Sequence, residues 1–217
     1  MAITRLGGAN AISGTLPAAN INDTSIGNIT ALPAAVDVGS LIKISTTTFS
    51  GASALEYNQT SLSTDYKVYK LLIQNLKLSD DDVTFAMTFS TDNGSSYLSS
   101  SYSRILWTGH AAQSDDAFQS RGGTKNRSSV NVTGAGDNQG NATGEGSSVE
   151  MTLFNLRQAN SMPYVSLITT FIDATNVLRV NWGALSHTST TAVDAFRILP
   201  QSGTLDSGTA TLYGVQQ

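Results

Sequence analysis

From residue 40 onward the chain alternates hydrophobic and polar positions with a period of two, the mark of strands that bury one face. Leu41, Lys43 and Ser45 alternate with Ile42, Ile44 and Thr46 over residues 41–49, and Tyr69, Leu71 and Ile73 form the inward set of residues 67–76. Val83, Phe85, Met87 and Phe89 share one face of residues 83–91, with Thr84, Ala86, Thr88 and Ser90 opposite. Asp92, Asn93 and Gly94 follow. Asn and Gly tolerate the positive φ of a tight primed turn, so a hairpin is predicted, with its return strand over residues 97–107. Residues 128–133 and 149–156 predict two more strands, and 164–172 with 177–182 a hairpin through Asp173 and Asn176. A last pair over 192–199 and 208–215 reads as a closing hairpin, in which Phe196 and Ile198 face the core and Arg197 faces away.

Nine or ten short strands with turn signals between them predict an all-β protein, a jelly-roll-like antiparallel β-sandwich. Helix is limited to one short turn over residues 52–57. Residues 108–127 and the glycine-rich residues 134–146 read as long loops of the kind that carry variation or binding. Residues 1–36 differ from the rest. Ile12, Leu16, Ile21, Ile26, Ile29 and Leu32 stand singly among Gly, Pro, Asn and Thr, with no aromatic residue and almost no charge. Disordered tails are usually charged and poor in aliphatics. This stretch therefore reads as an extended N-terminal attachment arm that orders against another subunit, followed by a β-sandwich domain over 37–217.

Charge and composition remove several functions. Charged residues make up 13% of the 217, and the net charge is −4. Nucleic-acid binders usually show a basic patch or stripe; Lys125 and Arg127 are the only close basic pair near a loop, too few to follow a phosphate backbone. With no cysteine, disulfides and thiolate metal sites are excluded. No apolar run approaches the length of a membrane span, so no membrane insertion is expected. The first residues lack an apolar core of signal-peptide length, which implies synthesis in a cytoplasm and a soluble chain until assembly.

Candidate chemistry is sparse. Ser186, His187 and Asp194 offer the residue types of a triad, but no Gly-x-Ser-x-Gly elbow accompanies them. Asp80, Asp81 and Asp82, and Asp115 with Asp116, read as solvated turns, because Asp bonds its own backbone there. Catalytic carboxylates of glycan-cleaving enzymes stand about 5–10 Å apart across a cleft. Oxygen ligands for calcium are present, without the EF-hand spacing. The glycine-rich stretch lacks the dinucleotide and P-loop fingerprints. Sequons such as Asn58-Gln59-Thr60 and Asn131-Val132-Thr133 are expected by chance in so Asn-, Ser- and Thr-rich a chain. No catalytic, cofactor or metal residue is assigned, and no enzyme is expected. Trp107, Trp182, Tyr97, Tyr102 and Tyr164 have faces that fit sugar rings, with Trp107 and Tyr102 the candidates for glycan contact. Each lies in an alternating strand, where core or subunit-interface burial is the ordinary alternative.

Three segments carry a resemblance to a known family. They are Asp65 to Leu76, read as a first long core strand; Phe85 to Tyr97, a hydrophobic strand followed by a Ser-x-Asp-x-Gly turn and Ser-Tyr; and Phe196-Arg197-Ile198 followed by Ser207-Gly208-Thr209-x-Thr211-Leu212-Tyr213-Gly214-Val215. Their order and form resemble tailed-bacteriophage virion proteins, a group of tail fibres, appendages and decoration proteins. The stretch from Ser13 to Ile21 is similar to spaced motifs in the attachment regions of phage fibres. The resemblance implies a structural, non-enzymatic virion protein, homotrimeric, held by its arm to another virion protein. A short tail fibre or fibre-like appendage, joined to a tail adaptor or nozzle and in reach of host cell-surface glycan, is the first form. A capsid decoration or cement protein lying on the major capsid protein is the second. In the trimeric form Tyr213 is a candidate for the subunit interface; its ring fits an ordinary intra-chain core equally well. A glycan-binding or glycan-cleaving protein is the alternative from another class.

Overall fold

Twelve strands run through the residues that the computed structural model describes, 41–112, 115–133 and 138–216. They are β1 (Leu41–Ala52), β2 (Leu55–Tyr57), β3 (Val68–Leu78), β4 (Phe85–Ser90), β5 (Tyr102–Ala112), β6 (Asp115–Arg127), β7 (Val130–Asn131), β8 (Ser147–Phe154), β9 (Tyr164–Ile172), β10 (Leu178–His187), β11 (Ala195–Pro200) and β12 (Leu205–Val215). No helix forms among the described residues. The arm expected over 1–36, with Ile12, Leu16, Ile21, Ile26, Ile29 and Leu32, lies outside them.

The strands form an eight-stranded sheet, in the order β1-β12-β3-β8-β9-β10-β5-β6, and a four-stranded sheet, β2-β11-β4-β7. Every pair is antiparallel. Inward side chains of β3, β8, β12, β9, β10 and β5 share one core with those of the small sheet. With β5, β6, β9 and β10 set aside, the chain passes from one sheet to the other at every connection except β4 to β7, which stays within the small sheet; this is the winding of a jelly roll. The sandwich architecture expected from the alternation is therefore present. The four extra strands extend the large sheet past β8, and β5 reaches the small sheet through Tyr102, whose hydroxyl accepts from Phe89 N–H, and Arg104, which donates to Asn131 O.

The core lies between the sheets. Tyr69, Leu71 and Ile73 of β3 are buried as expected, beside Met151, Leu153, Ala210 and Leu212. Asn75, at φ 52, then breaks the register against β8, and Leu76 and Leu78 take over the inward face from the opposite parity. A bulge of this kind turns every following side chain over. On the small sheet, Phe85, Met87, Phe89, Phe196 and Ile198 fill the other side of the core.

Several local expectations change. The closing hairpin is not a hairpin: β11 pairs with β2 and β4, whereas β12 pairs with β1 and β3, so the Gly203 turn carries the chain between sheets. The turn at Asn93 and Gly94 forms, with φ of 60° and 86°, but the expected return strand makes one backbone bond back to β4, Leu98 N–H to Phe89 O, before β5 enters the large sheet. Residues 108–112 and 115–127 are strand and not loop: they complete β5 and supply β6, paired from Tyr102↔Arg127 to Ala112↔Asp115. Residues 55–57 form a strand rather than a helical turn. The predicted hairpin through Asp173 and Asn176 does form, with Ile172 opposite Leu178.

The Asn93 turn is tied down by Asp92. Its carboxylate accepts from Ser96 Oγ at 2.5 Å, Ser96 N at 2.9 Å and Ser90 Oγ at 2.7 Å. The Ser96 hydroxyl, the Ser96 amide and the Ser90 hydroxyl hold the Asp92 carboxyl at about 2, below its usual 3.8. A lowered folded-state value stabilises the fold above the ordinary carboxylate range, and that contribution is lost as pH falls through about 2. Carboxyl-carbon NMR titration should give Asp92 a midpoint near 2; a midpoint at the ordinary value would mean that these bonds open in solution.

Candidate functional site

The outer face of the eight-stranded sheet has two unlike halves. On β1, β12 and β3 it is polar. Thr46 and Thr48 of β1 meet Thr211 and Thr209 of β12, hydroxyl to hydroxyl at 3.3 and 3.4 Å. Tyr213 lies between Lys43 and Lys70 on its row, half-buried on this face rather than in the core. Lys70 Nζ reaches Glu150 Oε1 of β8 at 2.7 Å, and this ion pair marks the border between the halves.

Beyond the border, on β8, β9, β10 and β5, the face turns apolar. Cross-strand register sets Ile168, Trp182 and Trp107 in one row and Ser166, Ala184 and Ile105 in the next. Trp107 is 43% exposed, and Ile105, Tyr164, Ile168 and Leu178 are exposed to a similar degree. Ile105, Trp107, Glu150, Thr152, Ile168 and Ala184 line a shallow, open groove here. Two glycines shape it. A Cβ on Gly109 would stand 3.2 Å from Val180 Cγ1 and 3.6 Å from Trp182 Cζ3, so its bare backbone lets the Trp182 indole lie across β5. A Cβ on Gly183 would stand 2.0 Å from Ile105 O, so β10 approaches β5 this closely only with glycine there.

The sequence-predicted residues separate on this frame. Trp107 belongs to the apolar half. Tyr102 does not reach a surface: it starts β5 on the opposite parity and is fully buried. Its hydroxyl accepts from Phe89 N–H at 2.7 Å and donates to Leu98 O at 3.2 Å, and burial pushes it up to about 12. Tyr102 is therefore a core residue and not a glycan contact. Tyr97 is also engaged, with the Arg197 guanidinium 3.9 Å above its ring and Arg197 Nε donating to Thr88 Oγ1.

Ser186, His187 and Asp194 do not assemble as a triad. Ser186 Oγ donates to Pro163 O at 2.8 Å. His187 Nδ1 accepts from Ser189 N–H, which places the ring proton on Nε2, where it donates to Ser100 O at 2.7 Å. Burial holds His187 below its usual value, against the Ser100 bond, so the ring is neutral and structural. Asp194 accepts from Asn93 N–H and Gln59 Nε2. The acidic run is likewise used locally: Asp80 Oδ1 accepts from Ser79 Oγ and Asp81 Oδ1 from Asn141 N–H. Among the described residues no three His, Asp or Glu side chains gather as metal ligands would.

Sequence reasoning missed the apolar half as a unit. Its signal lay in β9, where Tyr164, Ile168 and Ile172 are apolar on one parity while Val165, Leu167 and Phe171 are apolar on the other. A strand that is apolar on both parities is covered on both faces or meant to be. No family model matches the chain, and neither a curated protein nor a solved structure matches it. The class defined by fold and site is thus a widened jelly-roll sandwich with one apolar outer surface.

Proposed function

We propose that this chain is a structural, non-enzymatic component of a tailed-phage virion: a short homotrimeric tail fibre or fibre-like appendage, held through residues 1–36 to another virion protein. Two supports stand behind this reading, the three-segment resemblance and the apolar half of the outer sheet face. The resemblance points to a virion, and the apolar half points to a contact with another chain. Monomeric proteins seldom expose a broad contiguous apolar patch, and such a patch marks an interaction site. The groups from which hydrolytic chemistry would be built, Ser186, His187 and Asp194, are spent on holding loops.

Counting copies in purified virions tests the reading. A few copies, lost together with the tail, fit the appendage. Hundreds of copies retained by isolated heads fit the decoration form instead, and absence from virions overturns both. Deleting residues 1–36 should leave a folded sandwich that no longer joins the particle, read as an unchanged circular dichroism spectrum with loss from purified virions. Normal incorporation of the truncated chain would remove the attachment function from the arm.

A further inference from the structure

We infer that the apolar half of the outer face is the surface on which one copy of this chain binds a second copy, with Trp107 as its anchor. The inference rests on the structural reading above and names the partner of that surface.

Charge is the first argument. Copies of a chain of net charge −4 repel, and a contact between identical molecules is easiest where little charge must be brought together or stripped of water. Across the outer face of β8, β9, β10 and β5 the described residues include one charged side chain, Glu150, which Lys70 neutralises at 2.7 Å. The remaining polar groups there are uncharged: serine and threonine hydroxyls such as Thr152, Ser166 and Thr170, the Tyr164 hydroxyl and the Trp107 and Trp182 indole N–H groups. A sugar site would gather carboxylates and amides to grip the ring hydroxyls; here the one carboxylate is already taken.

Size is the second. Four strands at about 4.8 Å spacing and roughly 30 Å in length give a planar footprint of roughly 600 Å², and the accessible area of a corrugated face exceeds its footprint. A standard interface uses about 800 Å² from each partner. The face is therefore of the size that a stable contact between chains needs.

The third is its anatomy. An interface has an apolar, aromatic-rich centre and a polar rim. The Trp107, Trp182, Ile105 and Ile168 rows form such a centre, and the Lys70–Glu150 pair at its border supplies a rim. On this geometry Tyr213, flanked by Lys43 and Lys70, belongs to the rim.

The test measures mass by light scattering and sedimentation across micromolar concentrations for the full-length chain, Trp107→Glu, Ile168→Glu and, on the polar half, Thr209→Glu. Wild type and Thr209→Glu should be oligomers. Trp107→Glu and Ile168→Glu should weaken self-association by at least about 30-fold, the effect of losing one strong anchor, with circular dichroism melts of a folded chain. Two such variants guard against one that fails to fold. A wild-type monomer overturns the inference, and so does either folded variant keeping the wild-type mass. A monomer whose tryptophan fluorescence shifts with added oligosaccharide would overturn it in favour of a sugar. A monomeric chain that is nevertheless found in virions sinks this inference and the trimeric form of the appendage but leaves the virion reading standing, while an oligomer absent from virions sinks the virion reading alone.

Discussion

Phe196→Ala should lower the unfolding free energy by about 3–5 kcal/mol, the usual cost of emptying a phenylalanine site in a core. Domains are held by roughly 5–15 kcal/mol in all, so the variant should be poorly soluble. The size of the effect follows from position. Phe196 is fully buried on β11, the strand that lies between β2 and β4 in the small sheet. Its ring stands 5.1 Å from that of Tyr57. Removing it leaves a void between two sheets that are fixed by their own ladders and cannot close on it. Urea unfolding measures the change; an unaltered midpoint would put Phe196 at the surface.

Asp194→Ala should cost about 3 kcal/mol, since hydrogen bonds to a charged acceptor contribute about 1.5–3 kcal/mol each. Asp194 stands just before β11 and is 7% exposed. Oδ1 accepts from Asn93 N–H at 2.8 Å, Oδ2 accepts from Gln59 Nε2 at 2.9 Å, and Arg157 Nη1 lies 4.0 Å away. One carboxylate thus joins the Asn93 turn and the loop before β3 to the start of β11. Asp194→Asn, which keeps a carbonyl acceptor, should cost roughly half as much. Hydrogen exchange at the Asn93 amide should accelerate in the alanine variant. Unchanged exchange and an unchanged urea midpoint together would mean that water replaces the carboxylate.

The strands were legible where one face is buried. Tyr69, Leu71 and Ile73, or Phe196 and Ile198, announce themselves because alternation reports burial directly. Their partners were not legible. A tight turn such as Asn93-Gly94 fixes the direction of the chain, but a jelly roll uses such turns to cross between sheets, and nothing local distinguishes crossing from return. β6 was invisible for another reason: its residues, such as Gln119, Ser120, Gly122 and Gly123, have little strand preference of their own. The long neighbour β5 holds them by backbone pairing. The flip at Asn75 also left no mark in the pattern, because an inserted residue looks like an ordinary polar position.

The site was legible in one residue of two. Trp107 and Tyr102 both sit in β5, five positions apart, and odd spacing sends them to opposite faces. Only knowledge of which face meets the small sheet decides which ring is free. The apolar half emerges when β5 is placed beside the β9–β10 hairpin, and these lie far apart in the chain.

The position of β12 has a consequence for how the molecule comes to exist. It lies inside the large sheet, between β1 and β3, and it is the last of the described strands to leave the ribosome. Until it arrives, β1 has no neighbour and β3 shows an open edge, while most of the core side chains have already been made. Loop-closure entropy over nearly the whole described chain must be met before that pairing is rewarded. Folding of the sandwich should therefore wait until β12 has been made. A nascent chain stalled short of Leu205 would present unpaired strand edges to its neighbours, the form in which β-rich chains aggregate.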